Sequence, residues 1–391
     1  MPISNKWIPS LTLAFAAAAG FYSHDYLTPP PVPAVTTTEL VKDVMPAVVR
    51  LTVTAEEAPE GISGGTGSGS GVIFRFDGKD GYIITNNHVV EDSRKIVVQL
   101  ANDQKYLGTL IGTDKLSDIA VVQITPEAGT VLQQQSFADS DTVDPGDTVV
   151  AIGSPFGFRN SVSKGIVSAL NRSLDNGPVL RMIQHDASIN PGNSGGPLFN
   201  EDGKVIGINN RIYTRTGAFN GISLAIPSNT AKMVAEALIR DKKVHWGYMG
   251  VVMSMSKDGP KKSLVEPEEM QNVEITGVMP DGPAEKAGLQ DGDIIISVNG
   301  KAVRDQADVQ HQVVPLMAGG KVDIEYIRGK ETAHATVTLG ELPANAFNKK
   351  AAENDNSPKE APPAPMPNPE NDNNEKGDKV PKFGFGLPVQ P

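Results

Sequence analysis

Asn190-Pro191-Gly192-Asn193-Ser194-Gly195-Gly196-Pro197-Leu198 decides how the chain is read. A serine enclosed by glycines, with Asn-Pro before it and Pro-Leu after, suits a tight loop. Glycine has no Cβ and tolerates positive φ, so such a loop brings backbone close to a ligand. If Ser194 is a nucleophile, the amides of Gly192 and Ser194 converge on one point as an oxyanion hole. Fixed donors of that kind are worth about 3–4 kcal/mol each on the charge developing at a carbonyl oxygen. Alone, the stretch also fits the nucleophile elbow of α/β-hydrolases, or a Gly-Ser turn with no chemistry.

A serine hydroxyl is a weak nucleophile at neutral pH and needs a base, which needs an orienting carboxylate. Tyr82-Ile83-Ile84-Thr85-Asn86-Asn87-His88-Val89-Val90 is an apolar strand-like run reaching a histidine. Leu116-Ser117-Asp118-Ile119-Ala120-Val121-Val122 opens a β-branched run with an aspartate. The candidates run His88, Asp118, Ser194, the order of chymotrypsin-type enzymes; α/β-hydrolases run Ser, Asp, His. His245, His311 and His334 follow Ser194, but no alternation of strands and helices surrounds them. The hydrolase reading fails there.

Thr85–Val90, Ser117–Val121 and Gly192–Leu198, with Val149–Gly157 and Gly165–Ser173, resemble the HtrA/Deg family of trypsin-fold serine proteases. The resemblance runs from about Thr37 to Leu339 in five motifs in the correct order. Three places depart from the family pattern. His185 stands where Thr is common, Ser154 where Asn is common, and Ser223-Leu224 where Gly-Phe is common; the last lies near the expected substrate pocket.

The 391 residues allow two or three domains, and 39% hydrophobic with 21% charged residues fits soluble domains carrying a more polar segment. A net charge of −11 argues against nucleic acid as a partner and offers no basic patch for a membrane. Without cysteine there are no disulfides or thiolate metal sites. The six histidines are scattered and no set has ligand spacing, so neither metal nor cofactor is expected.

Residues 7–22 form a long uncharged apolar stretch. As a helix it spans roughly 24 Å, short of a bilayer core of about 30 Å. Residues 1–27 read as an export signal or a membrane anchor: Ala17-Ala18-Ala19 suits cleavage, while Trp7, Phe21 and Tyr22 suit an interfacial belt. Residues 28–36 are a stiff Pro-rich linker. From Ala47 to Ile226 short β-branched runs alternate with glycine turns, an all-β pattern. The resemblance implies two six-stranded β-barrels with the active site between them, over residues 37–240. The Gly-rich stretch Gly61–Gly71 lacks the ending and following helix of a phosphate loop and reads as a flexible loop.

Ser228 to Arg240 reads as a helix with Ser228 as N-cap and Met233, Val234, Ala237 and Leu238 at helical spacing. Beyond it, Gly247–Val251, Val278–Leu289 and Gly292–Gly300 look like an α+β PDZ domain over residues 244–342, with no second copy after it. PDZ domains add an extended peptide to a sheet edge and hold its C-terminal carboxylate on backbone amides. By resemblance that loop is Tyr248, Met249, Gly250 and Val251. Residues 343–391, rich in Pro, Asn and alternating charge, are too polar to offset ordering entropy and are expected to be disordered.

The resemblance implies an exported, ATP-independent serine endopeptidase acting on unfolded polypeptides, assembled as a homotrimer. It further implies Ser188, Ile189 and Ile222 as the specificity pocket and Arg172 on a regulatory loop with Leu174–Pro178. His185, beside Asp186, reads as a solvated turn residue with a pH-sensing role left open. Two other readings stay open: a peptide-binding chaperone or scaffold with an idle protease domain, and a membrane-anchored regulatory protease of an envelope stress response.

Overall fold

The computed structural model describes residues 36–55, 66–154, 161–172, 180–214, 218–256 and 272–343. The apolar N-terminal stretch, most of the Pro-rich linker, the loop after Arg172 and the polar tail lie outside the described residues. A helix over Thr37–Val44 opens them, capped by Thr36 and Glu39, each side chain bonding the other's backbone amide. Then come β1 (Val48–Ala55), β2 (Thr66–Phe76), β3 (Gly81–Asn86), β4 (Ser93–Gln99), β5 (Lys105–Asp114) and β6 (Ile119–Ile124), closed as a barrel in the order β1-β2-β3-β6-β5-β4. A second barrel contains β7 (Thr148–Gly153), β8 (Ser161–Arg172), β9 (Met182–His185), β10 (Pro197–Phe199), β11 (Val205–Ile212) and β12 (Ser223–Pro227), in the order β10-β11-β12-β9-β8-β7.

The near-continuous apolar runs of these strands have a geometric cause. Successive side chains point to opposite faces of a strand. On β6, Ala120, Val122 and Ile124 fill the first barrel while Ile119 and Val121 face the cluster between the barrels. On β7, Val149 and Ala151 fill the second barrel while Val150 and Ile152 join that shared cluster. Both faces are buried, and the two barrels share one apolar cluster.

Gly67, Gly69 and Gly71 lie within β2, not in a flexible loop as their spacing suggested. They alternate because a Cβ at Gly69 would stand 2.5 Å from Val89 and one at Gly71 2.6 Å from Ile83. Glycine there reflects crowding inside a closed barrel.

The helix Ser228–Asp241 follows the second barrel and seats Val234 and Leu238 in the shared cluster. Ser228 is its first residue rather than its cap: Pro227 occupies the cap, and the buried Ser228 hydroxyl donates to Ala138 O at 2.7 Å. Beyond it, β13 (Gly247–Tyr248) and β20 (Gly340–Glu341) form a two-stranded antiparallel pair, while β14 (Val251–Ser256), β15 (Asn272–Val278), β16 (Ile294–Val298), β17 (Lys301–Ala302), β18 (Lys321–Arg328) and β19 (Glu331–Thr338) form a six-stranded antiparallel sheet. Its main path is β14-β15-β16-β18-β19, so β14 is an edge strand, with the helix Gln306–Val313 beside it. Among the described residues no helix is long and apolar enough to cross a membrane, and no cluster of His, Asp or Glu is placed to hold a metal ion.

Candidate active site

His88 sits on a single helical turn, Asn87–Val90, at the end of β3, and Asp118 sits in the turn between β5 and β6. The two turns are laced together. Asn87 N and Asn86 Nδ2 both donate to Asp118 O at 3.0 Å, and Asp118 adopts a left-handed φ of 56°. That posture aims its carboxylate at His88. His88 N donates to Asp118 Oδ1 at 2.9 Å, and Nδ1 stands 2.6 Å from Oδ2. A carboxylate only accepts, so Nδ1 carries the proton and Nε2 is left basic.

Burial alone pushes the Asp118 carboxyl up, but hydrogen bonds from His88 and Asn210 outweigh it and hold the carboxyl below the usual range. It is therefore charged when an imidazolium forms beside it. Asn210, fully buried on β11, donates from Nδ2 to Asp118 Oδ2 at 2.7 Å. Asp114 braces the same turn from below, accepting from Ser117 N and Oγ and, on its other oxygen, from Trp246 Nε1.

Ser194 and His88 line one cleft of 410 Å³, together with Ser68, Val89, Pro191 and Gly192. Its loop is held from both barrels. Ser70 N donates to Ser194 O at 2.9 Å, and the buried Ser70 hydroxyl donates to Gly192 O at 2.7 Å while accepting from Ser154 N. Gly195 N donates to Asn209 O, and Asn209 N to Gly196 O, both at 2.8 Å. Gly195 has φ 83°, and a Cβ there would stand 2.2 Å from Thr85 Oγ1, so only glycine fits. The amides of Asn193, Gly195 and Gly196 each donate to a backbone carbonyl; those of Gly192 and Ser194 are the two expected at the oxyanion.

The remaining sequence candidates divide. Ser188 is exposed and Ile222 half-buried, while Ile189 is packed in the second barrel's core and offers no wall to a pocket. Ser223 and Leu224 are likewise buried, Ser223 Oγ donating to Ala187 O at 3.0 Å. His185 is no solvated turn residue: it ends β9 with 0% exposure, and neither ring nitrogen has a hydrogen-bond partner. Alternation turns His185 inward and Asp186 outward, where Asp186 Oδ1 accepts from Ile166 N. Arg172 ends β8, exposed, with Nε 2.9 Å from Gln184 Oε1. Met249 is buried and Gly250 has φ 80°; their carbonyls accept from Ala284 N and Met279 N, which pins the loop Tyr248–Val251. Four partners of the site, Ser70, Asp114, Asn210 and Arg211, carried no signal in the sequence.

Residues 69–208 match a model of the trypsin-like peptidase domain, and residues 247–339 match a PDZ domain. The solved "HtrA-type protease AlgW with tripeptide" superposes with a TM-score of 0.65 at 33% identity, covering 79% of this chain and 98% of that one. The chain belongs to the HtrA family of serine proteases. Another solved structure, of "the serine endoprotease from Yersinia pestis", gives a TM-score of 0.56 at 34% identity over 80% of this chain and 100% of that chain. The curated "Probable periplasmic serine endoprotease DegP-like" of Pseudomonas putida (strain W619) is 44% identical over 276 residues, 70% of this chain and 56% of the relative. This HtrA chain thus spans little more than half the length of the curated relatives it matches.

Proposed function

We propose that the chain is an exported, ATP-independent serine endopeptidase that cleaves unfolded polypeptides in the periplasm as part of protein quality control. The observation that carries this is the His88–Asp118 pair, 2.6 Å apart, with His88 and Ser194 lining one cleft. Ser194 Oγ attacks the scissile carbonyl as His88 Nε2 takes its proton; the C–N bond then breaks and the proton passes to the leaving amine. Water, deprotonated by the same nitrogen, releases the acyl group. Asp118 keeps the tautomer and stabilises the imidazolium, while the amides of Gly192 and Ser194 receive the oxyanion.

Residues 37–240 act as the protease domain and 244–342 as the PDZ domain. A peptide would add to the free edge of β14, where Val252 is 55% exposed, with its carboxylate on the amides of Tyr248–Val251. Gln306 Nε2 already donates to Met253 O at 2.6 Å, tying the neighbouring helix to that strand. Assembly as a homotrimer, and release or anchoring through residues 7–22, complete the reading by resemblance.

Digestion of casein by wild type and Ser194→Ala tests it. Loss of such a nucleophile costs on the order of 10⁶ in turnover, and cleavage within about tenfold of wild type would overturn the assignment. An inactive wild type that still binds C-terminal peptides would favour the scaffold reading instead.

A further inference from the structure

Asp118 Oδ2 receives two donors, His88 Nδ1 at 2.6 Å and Asn210 Nδ2 at 2.7 Å. The second comes from a side chain whose two ends are nearly the same shape. Turned over, Asn210 would set a carbonyl oxygen against the carboxylate and push it away from the imidazole. Arg211 Nε donates to Asn210 Oδ1 at 2.6 Å. A guanidinium has donors and no acceptor, so it demands the oxygen of the carboxamide on its own side and leaves the nitrogen for Asp118. The same guanidinium places Nη2 3.8 Å from Asp118 Oδ2, with its side chain 44% exposed. The step in strand register between Asn209 and Arg211 on β11 lets two successive residues serve one carboxylate.

We infer that Arg211 is a positioning residue of this protease: through Asn210 it orients Asp118, and its guanidinium keeps a positive charge beside the triad carboxylate. The inference rests on His88, Asp118 and Ser194 being the working triad. Several charged groups surround the pair among the described residues. Glu91 and Asp92 line the same cleft as His88, with Glu91 paired to Lys115. Asp114 lies in the turn before Asp118, bonded to Ser117 and Trp246. Arg211 is the cation that closes on Asp118 from the second barrel. A positive charge there opposes the imidazolium that forms during the reaction, so removing it is expected to move the acid limb of the activity profile upward.

The test is the pH profile of kcat/KM for a short chromogenic peptide, measured on the full chain as wild type, Arg211→Met and Arg211→Lys. Arg211→Met is expected to move the acid limb up by about half a pH unit, the size of one screened charge near the surface. It should also lower kcat about threefold or more while leaving KM within about twofold, as loss of an interaction beyond substrate contact does. Arg211→Lys, which keeps the charge, should return the limb to its wild-type position. A wild-type limb in Arg211→Met, a limb in Arg211→Lys that stays with Arg211→Met, or a change confined to KM overturns the inference. Cleavage that survives Ser194→Ala removes the triad itself, and this inference with it.

Discussion

Arg181 Nη2 donates to Asp308 Oδ1 at 2.7 Å, and Arg181 Nε donates to His311 Nδ1 at 3.0 Å. One residue just before β9, next to the segment that follows Arg172, thereby grips the helix Gln306–Val313 beside β14. Asp308 is nearly buried and also receives Arg304 N and Nε. The contact predicts an asymmetry. Arg181→Ala should cost about 0.5–1 kcal/mol, because Asp308 keeps its other donors. Asp308→Ala should cost about 1–3 kcal/mol, since it strands several donors at once. Denaturant unfolding of both single mutants and the double mutant gives the coupling; additive effects within about 0.3 kcal/mol would show that the contact carries no energy.

Arg172 lies at the edge of the segment read as a regulatory loop, and its guanidinium presents several fixed donors that a lysine ammonium does not reproduce. Arg172→Ala should lower turnover of a short peptide about tenfold, about 1.4 kcal/mol. A fluorophosphonate probe should still label Ser194, more slowly. Peptides ending in a hydrophobic residue should activate wild type more than the mutant, because a ligand shifts a population only through differential binding. Equal activity of mutant and wild type, with and without peptide, would dismiss the gate.

Ser188 occupies the position six before the nucleophile, where enzymes cutting after Lys or Arg keep an aspartate. A buried ammonium or guanidinium without a carboxylate is strongly disfavoured. Cleavage is therefore expected after Val, Ala or Ile. Mass spectrometry of a digested unfolded substrate decides it, and a majority of cuts after Lys or Arg would refute the pocket.

His185 is buried as a neutral ring, its pKa lowered to about 4 chiefly by burial, with Asp186 and Asn209 pulling the other way. Asn209 is near enough to favour the charged ring but outside hydrogen-bonding geometry, and its own Oδ1 has no partner. In the unfolded chain the ring titrates near the ordinary value of 6.5. Above that pH neither state binds the proton and His185 has no pH effect. As pH falls from 6.5 toward about 4, only the unfolded state takes it up, so stability declines across that window, on the order of 3 kcal/mol in all. Asn209 holds the loop of Ser194, so activity should fall with stability. Thermal unfolding against pH should show a shallower acid slope in His185→Gln; an identical slope would place the acid sensitivity elsewhere.

What could be read from the chain alone was local. The order of His88, Asp118 and Ser194, the glycines around the serine and the short β-branched runs each express a turn or a period confined to a few residues. The misreadings share one cause. Gly67, Gly69 and Gly71 have a loop's composition, and only the side chains of Val53, Val89 and Ile83 inside the closed barrel make them a strand. His185 looked solvated beside Asp186 because alternation shows that two residues face opposite ways, not which way is in. Asn210 and Arg211 were silent for a related reason: Val205 to Asn210 on β11 are all buried, so no polar face marks where the strand meets Asp118. Ser70 reaches Gly192 across 122 positions, and Trp246 reaches Asp114 across 132. Such contacts depend on barrel closure and strand register, which arise only when distant segments pack together. The sequence by itself determined the chemistry available to the site; the tertiary structure decided which residues hold it in place.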